Sequence, residues 1–254
     1  MSGHLAVVGL GPGDARYLSA EAQDALASAQ ALYGYAPYLD RLPARAGQSR
    51  HPSANREERT RACAALTHAA QGARVAVVSG GDPGVFAMAA AVCEEIETGP
   101  QSWRALDLTI VPGITAMLAV AARVGAPLGH DFCALSLSDN LKPWEVIERR
   151  LDAAASAGFV IALYNPVSHA RPWQFGQAVE RLRRHLSAAT PVVFGRAVGR
   201  PDEDVRVVTL EGADAAPVDM ATLVIVGSRE TRVIARAGRS PVVYTPRAAA
   251  KVSA

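Results

Sequence analysis

Cysteine is scarce in this 254-residue chain: Cys63, Cys93 and Cys133 stand far apart, with no Cys-x-x-Cys pair and no nearby histidine. That pattern excludes a disulfide framework and the usual zinc or iron–sulfur ligand sets, so no metal site is expected. Buried thiols in a reducing compartment are expected instead. Charge of one sign is lacking too, because a formal net charge of +2 is too weak to mark a nucleic-acid-binding face. Long apolar runs are missing as well. The longest uncharged apolar stretch, about residues 108–122, contains Pro112 and Gly113 and falls short of a membrane span. No Gly-Lys-Ser or Gly-Lys-Thr occurs, which removes the phosphate loop built on that triplet. The chain enters an apolar strand almost at once, at His4 and Leu5, without a basic-then-apolar leader, and the expectation is a cytoplasmic protein without membrane or nucleic-acid partners.

What is present is a half-apolar composition that permits a substantial core, and a series of turns at the ends of apolar runs. Gly9-Leu10-Gly11-Pro12-Gly13-Asp14 follows one run and Gly80-Gly81-Asp82-Pro83-Gly84 another. Pro112-Gly113-Ile114-Thr115-Ala116, Ser138-Asp139-Asn140-Leu141-Lys142-Pro143, Tyr164-Asn165-Pro166 and Gly227-Ser228-Arg229 complete the set. In open α/β sheets ligands collect beyond the carboxyl ends of the strands, so six such turns together predict a binding site for a small cofactor.

Apolar periodicity and punctuation predict strands at 5–8, 74–78, 106–111, 132–137, 159–164, 192–197, 205–210, 222–226 and 233–235. Helices are expected from Ser19 to about Ala29, from a start signal at Asn55 and Glu58 to Gly72, and over 85–97, 114–124, 143–157 and 173–186. Residues 33–38 read as an aromatic turn, followed by a loop to Ser53. The alternation predicts an α/β fold of two α/β domains in tandem, 1–115 and 116–245, with a tail over 246–254. The first sheet should be mostly parallel and the second mixed, with antiparallel pairs in its last part.

Taken singly, each motif has a plainer reading. Gly9-x-Gly11-x-Gly13 departs from the dinucleotide fingerprint, since Asp14 stands where the third glycine belongs and the helix begins only near Ser19. Asp82 and Thr115 have capping explanations, and Lys142 and Arg171 can be ordinary surface charges. An NAD-dependent oxidoreductase, motivated by the Gly9 to Gly13 turn alone, is the competing reading from another class.

Residues 9–14, 80–84, 112–116 and 164–166, in that order and spacing, resemble the tetrapyrrole methylases, the class III methyltransferases, and the resemblance runs from about residue 4 to 245. Residues 136–148, then Ile161 to Pro166 with Ser168 and Arg171, are similar to the branch that methylates a precorrin and contracts its macrocycle during cobalamin synthesis. The resemblance implies S-adenosyl-L-methionine as cofactor, S-adenosyl-L-homocysteine as its product, an anionic tetrapyrrole substrate, a homodimer and an active-site cleft between the domains. It implies cofactor contacts from Pro12, Gly81, Asp82, Val85, Phe86, Thr115 and Ala116, with Tyr164, Asn165 and Thr222 from the second domain. Substrate contacts are expected from Asp14, Ser138, Asn140, Lys142 and Arg171. Ring contraction adds proton traffic, for which Asp14, Asp82, Asp139 and Lys142 are the catalytic candidates, while His51 and His169 are weaker ones. A cobalt-bearing substrate and methylation at another ring carbon or of a macromolecule are the alternatives the resemblance leaves, and a non-catalytic tetrapyrrole carrier is a further reading from a different class.

Overall fold

The computed structural model describes residues 3–168 and 170–248. His169 and the end of the expected tail lie outside the described residues. The chain divides into two compact units, Met1–Ala116 and Met117–Ala254.

The first unit runs β1 (His4–Gly9), α1 (Ala20–Ser28), β2 (Ala31–Tyr35), α2 (Ala36–Leu39), β3 (Ser49–Ser53), α3 (Glu58–Ala70), β4 (Arg74–Ser79), α4 (Met88–Thr98), α5 (Gln101–Arg104) and β5 (Asp107–Val111). Its sheet is parallel throughout, in the order β3-β2-β4-β1-β5. Leu5, Val7, Val75 and Val77 pack on one face under α3 and α4, while Ala6, Val8, Ala76 and Val78 pack on the other under α1 and α2. Burial on both faces explains why β1 and β4 read as continuous apolar runs rather than alternating ones. Each fully buried Leu or Val contributes about 1.5–3 kcal/mol, and these central strands supply most of them.

The second unit contains α6 (Ala116–Val124), which begins on the last residue of the first, then β6 (Gly125–Ala126), β7 (Phe132–Ser136), α7 (Trp144–Ser156), β8 (Val160–Tyr164), α8 (Gln174–Leu182), β9 (Pro191–Arg196), β10 (Asp204–Thr209), β11 (Thr222–Val226), β12 (Arg232–Arg236) and β13 (Arg239–Tyr244). The order β10-β9-β11-β8-β7 is mixed: β7 and β8 run parallel and the other pairs antiparallel. A smaller sheet, β12-β13-β6, is also mixed. Helices α7 and α8 cover one face of the larger sheet through Ile147, Leu151, Phe175, Val179 and Leu182. On the other face Val120 of α6 lies so close to Gly195 of β9 that a methyl group there would sit 2.2 Å from its Cγ2.

Several expectations need correction. Residues 31–35 and 49–53 are strands, not an aromatic turn and a loop; Pro52 is tolerated because β3 is the sheet edge. Helix α3 starts at Glu58 after Glu57, and Asn55 lends its side chain to Arg56 N rather than capping the helix. Helix α4 starts at Met88, not Val85, because Phe86 adopts φ +53 and Ala87 is extended. Helix α6 starts two residues later than expected, and α8 ends four residues earlier. Strands β6 and β13 were not anticipated. The thiols are not uniformly buried: Cys93 is exposed, and Cys63, half-buried, donates to Glu95 Oε2.

Candidate functional site

In the first unit β4, β1 and β5 are adjacent and parallel, with Gly9 level with Ser79 and Val8 level with Val111, so the turns leaving their carboxyl ends emerge side by side. Gly11 and Gly81 exchange backbone hydrogen bonds, 3.1 Å from Gly11 N to Gly81 O and 2.9 Å in return. The third turn packs onto both: a Cβ on Gly113 would lie 2.2 Å from Gly81 O and 3.0 Å from Gly9 Cα. These glycines therefore admit each other's backbones. The expectation that they mark close approach holds, with a neighbouring turn as what approaches.

Asp82 fastens the arrangement. Its Oδ1 accepts from Gly84 N at 2.8 Å and its Oδ2 from Gly113 N at 3.0 Å, so it ties the second turn to the third and caps no helix. Arg41, which sequence reasoning missed, holds the first turn from outside: its Nη2 donates to the carbonyls of Leu10, Gly11 and Gly13 at 3.1, 3.2 and 2.6 Å. No local signal in the 41–48 loop foretells it. Pro12 and Val85 are half-buried beside these turns, Thr115 is buried, Ala116 opens α6, and the Phe86 ring is 52% exposed. A bulky residue in the left-handed region costs of order 1–3 kcal/mol and persists only where its surroundings hold it. Asp14 is exposed and caps the short 3-10 turn over Ala15–Tyr17 by accepting from Arg16 N at 2.9 Å. That backbone hydrogen bond, with the Arg16 side chain, lowers its pKa and makes it a weak proton acceptor.

In the second unit the parallel pair β7 and β8 brings two further turns together, since Ser136 is level with Tyr164. Asn165, at φ +51, donates from Nδ2 to Ser136 Oγ at 2.9 Å, and Ser138 N donates to the same oxygen. One turn further out, Asp139 forms an ion pair with Arg171 and accepts from Gln174 Nε2 at 2.9 Å. Ser136 and Gln174 are buried and were not among the expected residues. Tyr164 accepts from Met117 N through its hydroxyl at 3.1 Å. Thr222 lies at the same edge by the antiparallel placement of β11, with its hydroxyl donated to Asp219 Oδ1 at 2.7 Å. Asn140 is exposed and Lys142 half-buried. Burial first, and the nearby Arg150 cation second, lower the Lys142 pKa, so this ammonium releases its proton more readily than an ordinary lysine.

The sixth turn stands apart. Ser228 N donates to Thr231 Oγ1, which contacts Thr245 Oγ1 at 2.8 Å, and the latter hydroxyl donates to Pro127 O at 2.6 Å. This is a buried polar knot, satisfied internally. Among the described residues no group of three or more His, Cys, Asp or Glu side chains is placed to hold a metal ion, and no helix is long and apolar enough to cross a membrane.

Residues 4–214 match the family model described as Tetrapyrrole (Corrin/Porphyrin) Methylases. The chain belongs to this family. It is 64% identical over 247 residues to a precorrin-3B C(17)-methyltransferase of a Sinorhizobium species, covering 97% of each protein. The crystal structure of the methyltransferase CobJ superposes with a TM-score of 0.90 at 50% identity, covering 96% of this chain and all of that one. A uroporphyrin-III C-methyltransferase from Thermus thermophilus, solved with S-adenosyl homocysteine, shares the fold at a TM-score of 0.68 and 21% identity over 89% of this chain and 97% of that one.

Proposed function

We propose that this chain is an S-adenosylmethionine-dependent methyltransferase of cobalamin biosynthesis that methylates precorrin-3B at C-17 and contracts its ring to give precorrin-4. The observation that carries the reading is near-full-length 64% identity to a relative of that activity, joined to three glycine turns packed at the ends of adjacent parallel strands.

The residues present fit a sulfonium donor. Asp82 is the one charged side chain of its turn, which suits a cationic ligand, and Val85 with the half-exposed Phe86 gives apolar surface that excludes water. When bound, the donor supplies an activated methyl group on a neutral leaving group. The chain needs no covalent nucleophile for such a displacement; its contribution is orientation, worth roughly 7–11 kcal/mol in favourable cases. Pro12, Gly81, Asp82, Val85, Phe86, Thr115 and Ala116, with Tyr164, Asn165 and Thr222, are the proposed contacts. Two act through the framework: Asp82 accepts from Gly84 N and Gly113 N, tying the second turn to the third, and the Thr222 hydroxyl donates to Asp219.

Lys142 is the proposed carboxylate contact and proton carrier, since its surroundings disfavour the charged form while an anionic ligand would restore it. Asp14, Ser138 and Asn140 complete the proposed substrate contacts. A cytoplasmic homodimer is part of the same proposal, and sedimentation tests the dimer. Calorimetry with S-adenosyl-L-homocysteine, followed by mass analysis after incubation with precorrin-3B and the methyl donor, tests the whole. Saturable binding and a gain of one methyl with an altered chromophore are expected. Absent binding, or a product without the added methyl, contradicts the proposal, and turnover only of a cobalt-bearing macrocycle reassigns the substrate.

A further inference from the structure

Among the described residues, three buried side-chain donors of the second unit have no hydrogen-bond partner, Trp144 Nε1, Ser168 Oγ and Arg171 Nε, and the last two stand three residues apart. Leaving such groups unsatisfied is costly, so their coincidence asks for a ligand. The last two share one face. Ser168 and Arg171 form an isolated antiparallel bridge, exchanging N–H···O hydrogen bonds of 3.3 and 3.0 Å, and residues directly opposite in such a pair project to the same side.

The guanidinium is not a loose cation. Its Nη1 is engaged by Asp139, both side chains are 20% exposed, and Asp139 is itself held by Gln174 Nε2 at 2.9 Å. Gln174 is 1% exposed on the first turn of α8, so the carboxylate is fixed from the rigid side. The charge of Arg171 is thereby already matched. A substrate carboxylate arriving at Nε would meet the negative charge of Asp139, whereas an uncharged carbonyl or hydroxyl oxygen would accept both donors without that repulsion. Lys142, which has no ion-pair partner within 4.0 Å among the described residues, suits the carboxylate instead.

We propose that Ser168 and Arg171 form a two-donor subsite for an uncharged oxygen of the bound macrocycle, with Asp139 as the positioning residue that aims Arg171. The subsite rests on the reading of the chain as a precorrin methyltransferase. It replaces the expectation of Asp139 as a proton carrier and narrows that of Arg171 as a contact to the anionic substrate.

The test is absorbance titration of the full chain with precorrin-3B, without methyl donor, alongside calorimetry with S-adenosyl-L-homocysteine. Ser168→Ala and Arg171→Lys should each weaken macrocycle binding by about 5- to 30-fold, the range expected for one lost donor to a buried acceptor. S-Adenosyl-L-homocysteine affinity should stay within about twofold of wild type, and the Ser168→Ala loss should be independent of salt. Asp139→Asn should raise KM for the macrocycle with kcat nearly unchanged. Wild-type binding with both donor variants unaffected overturns the subsite alone, and a Ser168→Ala loss that vanishes with salt overturns its uncharged occupant. Collapse of kcat at constant KM in Asp139→Asn overturns the positioning role. A wild-type chain that binds S-adenosyl-L-homocysteine but not precorrin-3B overturns the substrate reading and the subsite with it.

Discussion

Replacing Gly113 by alanine tests how the first unit assembles its three turns. The added methyl carbon would stand 2.2 Å from Gly81 O and 3.0 Å from Gly9 Cα, and both obstacles are backbone. Relief requires the third turn to withdraw by about 1 Å, and overpacking of this kind costs roughly 1–3 kcal/mol. The withdrawal also strains the 3.0 Å hydrogen bond from Gly113 N to Asp82 and the pair between Gly11 and Gly81, each worth about 0.5–1.5 kcal/mol. We expect a loss of about 2–4 kcal/mol in urea unfolding followed by circular dichroism. S-Adenosyl-L-homocysteine affinity should fall at least about tenfold, since displacements of this size cost up to about a hundredfold where geometry matters. Gly176→Ala is the control: it lies in α8 with nothing within 4 Å of the new methyl, and should gain up to about 1 kcal/mol from helix propensity. Unchanged stability and affinity in Gly113→Ala would refute the packing argument.

Other outcomes follow from the same geometry. Asp82→Ala leaves two backbone donors without their acceptor and should weaken S-adenosyl-L-homocysteine binding about tenfold by calorimetry, with Asp82→Asn intermediate. Arg41→Met removes the donor to three carbonyls of the first turn and should weaken the same binding about five- to tenfold while unfolding shifts modestly. His51 stacks on Tyr33 at 4.3 Å, and burial first, then the neighbouring His68, lowers its pKa. A depressed folded pKa contributes stability that is present above the unfolded value, about 6.5, and is lost as pH falls through the folded one. Unfolding free energy should therefore decline below about pH 6.5, and His51→Gln should flatten that slope in denaturation series across the range.

The strands that carry the site were legible because burial on both faces leaves uninterrupted apolar runs, as in Leu5 to Val8 and Val75 to Val78. Edge and tail strands were not: β3 reads Ser-Arg-His-Pro-Ser, and β13 carries Pro241, so neither shows an apolar pattern. Boundaries slipped where backbone conformation departs from propensity. Nothing in the residue type of Phe86 announces a left-handed backbone that delays α4 by three residues. The turns themselves were visible as glycine clusters, but the work of their side chains depends on partners distant in sequence. Asp139 meets Arg171 and Gln174 only because β7 and β8 run parallel, and Arg41 reaches the first turn from about thirty residues away. Thr222 is the contrary case, since its partner Asp219 stands three residues before it and the pair could have been read as a local turn.

The most direct test of the account follows a carbon-13 methyl label from S-adenosylmethionine into the product formed from precorrin-3B, with the labelled position located by NMR. The account predicts one labelled methyl on C-17 of a contracted macrocycle. Label at any other carbon, or none in the tetrapyrrole, would contradict it.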